Sequence, residues 1–426
     1  MEPSTQRLSE VTCPFCGLAC DDLTVTNATT GLDVVKNGCA ISTSAFRQLG
    51  RVDASQSSPR IKGKPASADA AIVAAARILA SAKAPLIGGF GTDVGGARAV
   101  LALADRIGAV VDHMNMPAKL RNILTLQNSG WITTTLAEIK NRADFVLIIG
   151  SSALTRFPRF YERVVSPSDT MFAGNPAIRE VVFLGDTTAL AGNLPSAAQQ
   201  LHCSHASLAR LLPALRALVN GQSVDNRNLA VSDVKILTEL ADRMKQAHYG
   251  VIAWAAPDFD FPHSELTIQT LADLIKDLNK TIRVAGFPLG GSDGDFSANG
   301  TQTWQTGLPL RSRYGKQGLD FDPYRNSAEK LIAENEVDAL LWISSFNAAR
   351  TPPEAEIPQI VLGPPFMALQ REPEVFIPVG TPGIHHGGHM IRTDKVVVMR
   401  LKKVIENSLP SVADIASRLL QELASY

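Results

Sequence analysis

The sequence predicts an α/β protein in which a short N-terminal cysteine segment precedes two halves, each a doubly wound parallel sheet. Three observations carry this. From about Ser67 onward, helix-spaced segments alternate with short apolar runs such as Phe145-Val-Leu-Ile-Ile149, the order from which parallel sheets are built. Arg142-Ala-Asp-Phe-Val-Leu-Ile-Ile-Gly-Ser-Ser-Ala153 matches Glu336-Val-Asp-Ala-Leu-Leu-Trp-Ile-Ser-Ser-Phe-Asn347 in pattern, so the plan is repeated. Four of the five cysteines (Cys13, Cys16, Cys20 and Cys39) lie within the first 39 residues, which sets that segment apart.

Residues 1–60 form the cysteine segment, closed by a Ser-rich linker from Asp53 to Arg60. A first α/β domain, 61–224, opens with a helix over Ala68–Ala82, where Ala, Ile and Leu recur at helical spacing. Pro85–Gly89 is a buried strand end, Gly95–Gly108 a helix, and Ala109–Asp112 a strand. Leu136–Arg142 is helical and leads into the strand Ala143–Gly150. Val181–Gly185 is a further strand, and the helix Leu208–Val219 closes this half. The second α/β domain, 225–335, has helices over Asp233–Gln246, Glu265–Leu278 and Ala328–Glu334, with strands at Gly250–Ala255 and Ile282–Gly286. Gly286–Gly294 reads as a long flexible loop, without the glycine spacing of a nucleotide-binding turn. The C-terminal portion, 336–426, begins with the strand Val337–Ser345, carries a late strand at Lys395–Met399, and is expected to pack back on the first domain.

Lys plus Arg equals Asp plus Glu at 41 each, which argues against a nucleic-acid binder working through basic excess. Hydrophobic residues reach 45% and charged ones only 19%, a lean surface that suits burial in a larger assembly. Met1–Arg7 has no apolar core of a secretory signal, and no run of 18 apolar residues would span a membrane. A cytoplasmic, reduced protein is expected.

The spacing Cys13-x2-Cys16-x3-Cys20-x18-Cys39 brings three thiols from one tight segment and a fourth from a longer return. Four thiolates around one centre suit a [4Fe–4S] cluster or a tetrahedral zinc, and unmetallated buried thiols remain the alternative. Ser151, Ser152, Ser344 and Ser345 sit at strand ends, where small polar residues leave room for a ligand or let a helix pack. No partner base can be assigned to them, and the sequence holds no His-Glu-x-x-His constellation that would mark a catalytic residue. Two segments are locally basic: Arg156, Arg159 and Arg163, and Arg311, Arg313 and Lys316. Such clusters bind carboxylates through charge-assisted bonds. His385, His386 and His389 invite a metal reading, but no carboxylate lies at ligand spacing. Cys203, between His202 and His205, reads as a lone helical thiol.

The cysteine spacing ahead of two α/β halves resembles the molybdopterin oxidoreductase large subunits, whose halves are Rossmann-like. Thr12-Cys-Pro-Phe-Cys-Gly-Leu-Ala-Cys-Asp-Asp-Leu23 and Asn37-Gly-Cys-Ala40 look like the B-type subunits of formylmethanofuran dehydrogenase, as do Leu136–Gly150, Trp304–Pro309 and Gly383–Asp394. The resemblance implies a [4Fe–4S] cluster and a tungsto- or molybdopterin interconverting carbon dioxide and formate. The family's metal-binding thiolate or selenolate belongs in the loop Val111-Asp-His-Met-Asn-Met-Pro117, which here holds no cysteine. Met114 and Met116 offer only thioethers, poor substitutes for an anionic donor. Gly150-Ser-Ser-Ala153 likewise stands where the family tends to show Gly-Cys-Asn-Pro.

That loss matches the bacterial branch of the family, the formyltransferase/hydrolase complex of methylotrophs. The resemblance then implies a redox-silent B-type subunit without molybdo- or tungstopterin, scaffolding a metal-dependent formyl hydrolase, a formyltransferase and a C-type subunit. It also implies that a polyglutamyl, methylofuran-type formyl carrier is held by the two basic segments. The alternative functions are an active formylmethanofuran or formate dehydrogenase subunit with an unusual metal ligand, a structural zinc subunit, and an unrelated α/β transferase.

Overall fold

The structure, a computed structural model, describes residues 6–28, 31–51, 57–167, 169–171, 179–190, 198–225 and 229–426. Residues 53–56 of the linker, and 1–5 of the N-terminus, lie outside the described residues. The chain divides into two compact units, the first made of Met1–Met116 with Gly291–Tyr426, the second of Pro117–Gly290. The divisions thus fall at Met116 and Gly290 rather than at residues 60, 224 and 335.

In the first unit, the strands Gln6–Val11, Leu23–Ala28 and Gly31–Lys36 form an antiparallel sheet ahead of the helix Ala40–Leu49. Leu23, Val25 and Leu32 are buried with Phe46 and Leu49 of that helix, and Phe15 meets Phe46 edge-on at 5.5 Å. The larger sheet has five parallel strands in the order Val110–Val111, Pro85–Gly91, Ala339–Ser344, Gln359–Gly363, Val375–Pro378. Antiparallel hairpins close its two ends, Ser312–Gly315 with Gly318–Phe321 and Arg60–Ile61 with Lys64–Pro65. The central strands are buried residue by residue, as parallel strands covered on both faces must be. The helices Ala68–Ser81 and Val94–Ile107 begin at Ser67 and Asp93, whose side chains accept the first free backbone N–H groups. The helix Val412–Glu422, opened by a Ser411–Asp414 capping box, packs on both.

The second unit is built on a five-stranded parallel sheet, ordered Gln199–His202, Glu180–Gly185, Phe145–Ile149, Tyr249–Ala255, Arg283–Leu289. Its core joins Phe145, Leu147, Trp254 and Ile252 to Leu208–Val219, Val231–Gln246 and Ser264–Leu278.

The sequence repeat has a physical counterpart. Asp144 accepts hydrogen bonds from the backbone N–H groups of His248 and Tyr249 at 2.8 and 2.9 Å. Asp338 accepts from those of Lys83 and Ala84 at 2.7 and 2.9 Å. In each unit, an acid just ahead of one central strand satisfies the otherwise unpaired entry of its neighbour.

Gly286–Gly294 is not one long loop, because Phe287 and Leu289 are buried and carry the strand Arg283–Leu289 further. The late strand is Val398–Leu401, paired with Gly388–Ile391, since Lys395 turns the chain at φ +62°.

Candidate functional site

The cysteine loop lies between the first two strands of the first unit. The Cys13 N–H donates to the Cys20 carbonyl at 2.8 Å, and the Ala19 N–H to the Cys16 carbonyl at 3.1 Å, so one turn presents three thiols. Cys39 caps the helix Ala40–Leu49, where its sulfur accepts from the N–H and hydroxyl of Ser42, each at 3.5 Å. Cys13, Cys16 and Cys20 are buried, and Cys39 is partly exposed. Burial pushes the Cys16 thiol up to about 12 and Cys13 well above its ordinary value, and the neighbouring sulfurs push in the same direction. The N–H groups of Phe15, Leu18 and Ala19 pull the other way by donating to sulfur.

Four electrically coupled sulfurs with amide donors are the chemistry that a thiolate-bound metal needs. Among the described residues, however, no group of three or more His, Cys, Asp or Glu is drawn together to hold an ion. The fold gathers the four cysteines in one neighbourhood without closing them on one centre. A zinc ion held by them would crosslink the segment, whereas a [4Fe–4S] cluster would supply an electron relay.

The loop after Val110–Val111 departs from a metal-binding loop more sharply. His113 is buried with both ring nitrogens engaged: Nδ1 accepts from the Asn115 N–H at 3.0 Å, and Nε2 donates to the Asp293 carbonyl at 3.2 Å. The Arg350 guanidinium donates to Met114 Sδ at 3.1 Å and to Asn115 Oδ1, with Asp293 Oδ2 at 3.4 Å. A metal here would meet the Arg350 cation, to which Asp293 is already paired, so the loop does not fit the metal of a pterin cofactor. Sequence reading missed Arg350 because it lies far along the chain, in a loop without a motif.

Beneath this loop, Asp112 is buried against Arg311 at 3.4 Å and accepts from the Ala328 N–H at 2.9 Å. Arg311, at φ +68°, is itself buried and also faces Glu329 at 3.6 Å. Its guanidinium is therefore engaged inside the first unit. Arg313 is half-buried in a hairpin, and Lys316 is exposed at its turn. In the second unit, Arg159 is buried and pairs with Glu162 at 2.5 Å, Arg163 is half-buried, and Arg156 is exposed.

Three of the four serines at the strand ends bind protein through their side chains. Ser345 Oγ donates to the Gly91 carbonyl at 2.9 Å and Ser344 Oγ to the Asn347 carbonyl at 2.8 Å. Ser152 donates through Oγ and N–H to the buried Asp258, at 2.7 and 3.0 Å. Burial raises Asp258 above the usual carboxylate range while these two bonds oppose the rise. Any Cβ at Gly150 would fall 2.2 Å from Asp258 Oδ2, and that position also has φ +76°, so only glycine serves there. His205 stands 3.7 Å from the same carboxylate.

Cys203 is not helical. It follows the strand Gln199–His202, and burial pushes its thiol up to about 11, so it is no activated nucleophile.

His385 is buried at 3% exposure; its Nδ1 accepts from the Thr381 N–H at 2.9 Å and its Nε2 donates to the Leu49 carbonyl at 3.2 Å. With both nitrogens in use it is a structural strut. Burial lowers its pKa from 6.5 to about 4, only partly opposed by the Leu49 carbonyl. The folded value lies below the unfolded one, so this stabilising contribution is complete above pH 6.5 and is lost as pH falls toward 4. The loss amounts to roughly 3 kcal/mol at about 1.36 kcal/mol per pKa unit. Urea denaturation at pH 7.5 and pH 4.5 should show His385→Gln shedding that part of the acid sensitivity. An unchanged pH dependence would refute the neutral-strut assignment.

No family model matches the chain. Over 377 residues it is 28% identical to the Fhc B-type subunit of the formyltransferase/hydrolase complex of Methylorubrum extorquens, covering 85% of this chain and 96% of that protein. The solved formyltransferase/hydrolase complex of that organism, in complex with methylofuran, contains a chain that matches with TM-score 0.74 and 26% identity, over 86% of this chain and 99% of that one. The chain is a homologue of the B-type subunits of such complexes. The B-type subunit of the tungsten-containing formylmethanofuran dehydrogenase 2 of Methanocaldococcus jannaschii is 25% identical over 93% of each chain. Its Methanococcus maripaludis counterpart is 24% identical over 97% of this chain and 98% of that protein. The chain therefore aligns along most of its length with B-type subunits of both kinds of complex. No helix among its described residues is long and apolar enough to cross a membrane.

Proposed function

We propose that this chain is the redox-silent B-type subunit of a formyltransferase/hydrolase complex in tetrahydromethanopterin-linked oxidation of formaldehyde to formate, in the cytoplasm. It scaffolds a metal-dependent formyl hydrolase, a formyltransferase and a C-type subunit, and carries no catalytic residue of its own. The observation that supports this reading most is the loop Asp112–Met116, where Arg350 and Asp293 engage the groups that would face a metal. Similarity to the Methylorubrum protein points the same way.

Each of the two basic segments, one in either unit, is a proposed hold on carboxylates of a methylofuran-type carrier. Arg156 and Lys316 are the members most open to solvent, with Arg313 behind Lys316. Arg159, Arg163 and Arg311 would set the backbone that presents them. The four cysteines would take zinc or a [4Fe–4S] cluster as a structural insert.

The test is purification from the natural source through a tag on this chain, followed by elemental analysis. Hydrolase and formyltransferase subunits should co-purify, with tungsten and molybdenum both below about a tenth of an atom per chain. One tungsten or molybdenum per chain, with formate-dependent dye reduction, would establish the dehydrogenase reading instead.

A further inference from the structure

We propose that a cavity at the carboxyl edge of the first unit's sheet binds a small zwitterion with an apolar side group, of the α-amino-acid class. The cavity measures about 270 Å³ and is lined by Gly89, Met114, Glu329, Trp342, Arg350 and Thr351 among others. At roughly 30 Å³ per water-sized group, that is room for about nine heavy atoms. Small-molecule sites favour this edge of an open parallel sheet.

Its inner wall is built by a bulge. The strand Pro85–Gly91 slips register against Ala339–Ser344 at Gly89 and Phe90, where φ reaches +67° and +57°. A Cβ at Gly89 would lie 2.9 Å from the Trp342 ring and 2.6 Å from the Ile343 carbonyl. Glycine lets the indole lie flat on the strand, and Trp342 is fixed there by its Nε1 donating to the Arg350 carbonyl at 2.8 Å. The buried indole and the Met114 thioether give the cavity an apolar wall.

Two opposite charges open on the same space. Arg350 is held through Nε and one terminal nitrogen by Met114, Asn115 and Asp293, while its other terminal nitrogen has no partner among the described residues. Glu329 receives the Ser327 hydroxyl on Oε2 at 2.6 Å and faces Arg311 with that same oxygen, leaving Oε1 open. The Arg350 side chain is 37% exposed and that of Glu329 60%, whereas Trp342 is buried. A ligand carboxylate suits Arg350 and a ligand ammonium suits Glu329. A molecule bearing only one charge would leave either the open terminal nitrogen of Arg350 or Oε1 of Glu329 unbonded.

The experiment uses the full-length chain with whatever partners accompany it, and saturation-transfer NMR with L-leucine, 4-methylpentanoate (no ammonium) and 3-methylbutylamine (no carboxylate). L-Leucine should bind, and each single-charge analogue should bind at least about tenfold more weakly. Glu329→Gln should weaken L-leucine about tenfold while leaving 4-methylpentanoate unchanged, and Ala349→Trp, at the cavity wall, should abolish both signals. Both substituted positions are exposed, so the variants keep the fold. No signal from any probe up to about 10 mM, or L-leucine binding indifferent to Glu329→Gln, would overturn the proposal.

Discussion

Replacing Arg311 with methionine should destabilise the first unit by roughly 3–5 kcal/mol, because it strips the counter-charge from a buried carboxylate. Asp112 is buried, and burial pushes its carboxyl up to about 6 against the pull of Arg311. That folded value stands above the ordinary 3.8, so the fold favours the protonated acid and this group's contribution declines as pH rises from about 4 to 6. Without Arg311 the carboxyl must rise further, and the variant's deficit should be largest above pH 7 and shrink toward pH 5. Urea melts across that range measure it. Adding Asp112→Asn should recover most of the loss, since a neutral amide needs no counter-charge. A deficit below about 1 kcal/mol, or one that ignores pH, would mean that the pair is not what secures this sheet edge.

The second large effect is expected at Arg179. Its guanidinium donates to four backbone carbonyls: Ala143 at 2.6 Å, Lys140 and Val164 at 2.9 Å, and Val165. Those carbonyls lie at the ends of the helix Leu136–Arg142 and of the π-helical turn Tyr161–Val165, where helix geometry itself supplies no backbone partner. Burial lowers the guanidinium's proton affinity, yet its planar fork serves several acceptors at once. Arg179→Met leaves partly buried carbonyls unsatisfied and should cost about 3 kcal/mol or more. Because the Arg156–Arg163 segment leads into that turn, hydrogen exchange should rise across 156–165 before the rest of the second unit opens. Uniform exchange, with stability intact, would show that the turn holds without Arg179.

Much of the fold is legible in the sequence because local signals agree with tertiary demands. Leu136–Arg142 and Leu208–Val219 are legible to the residue, since helical spacing and bounding turns coincide there. The Asp-strand repeat is legible too, but its reason lies in pairing: Asp144 and Asp338 serve backbone groups more than a hundred residues away in sequence. The same distance hides the chemistry of the sheet edge. Nothing near Arg350 announces that it reaches Met114, and Asp258 shows no local sign that it receives Ser152. The cysteines are conspicuous by spacing, while their amide donors and unequal burial come only from the chain's path.

The discontinuity of the first unit governs how the chain can form during synthesis. Its strand Pro85–Gly91 is made early, but the neighbour Ala339–Ser344 is made only after the whole second unit has been translated. At about 5–20 residues per second, an apolar strand edge waits roughly 10–50 s for its partner. The second unit is one continuous stretch and can complete its sheet in that interval. Nascent chains halted near residue 330 should therefore present a finished second unit beside an open, aggregation-prone edge, the species on which a ribosome-associated chaperone would act.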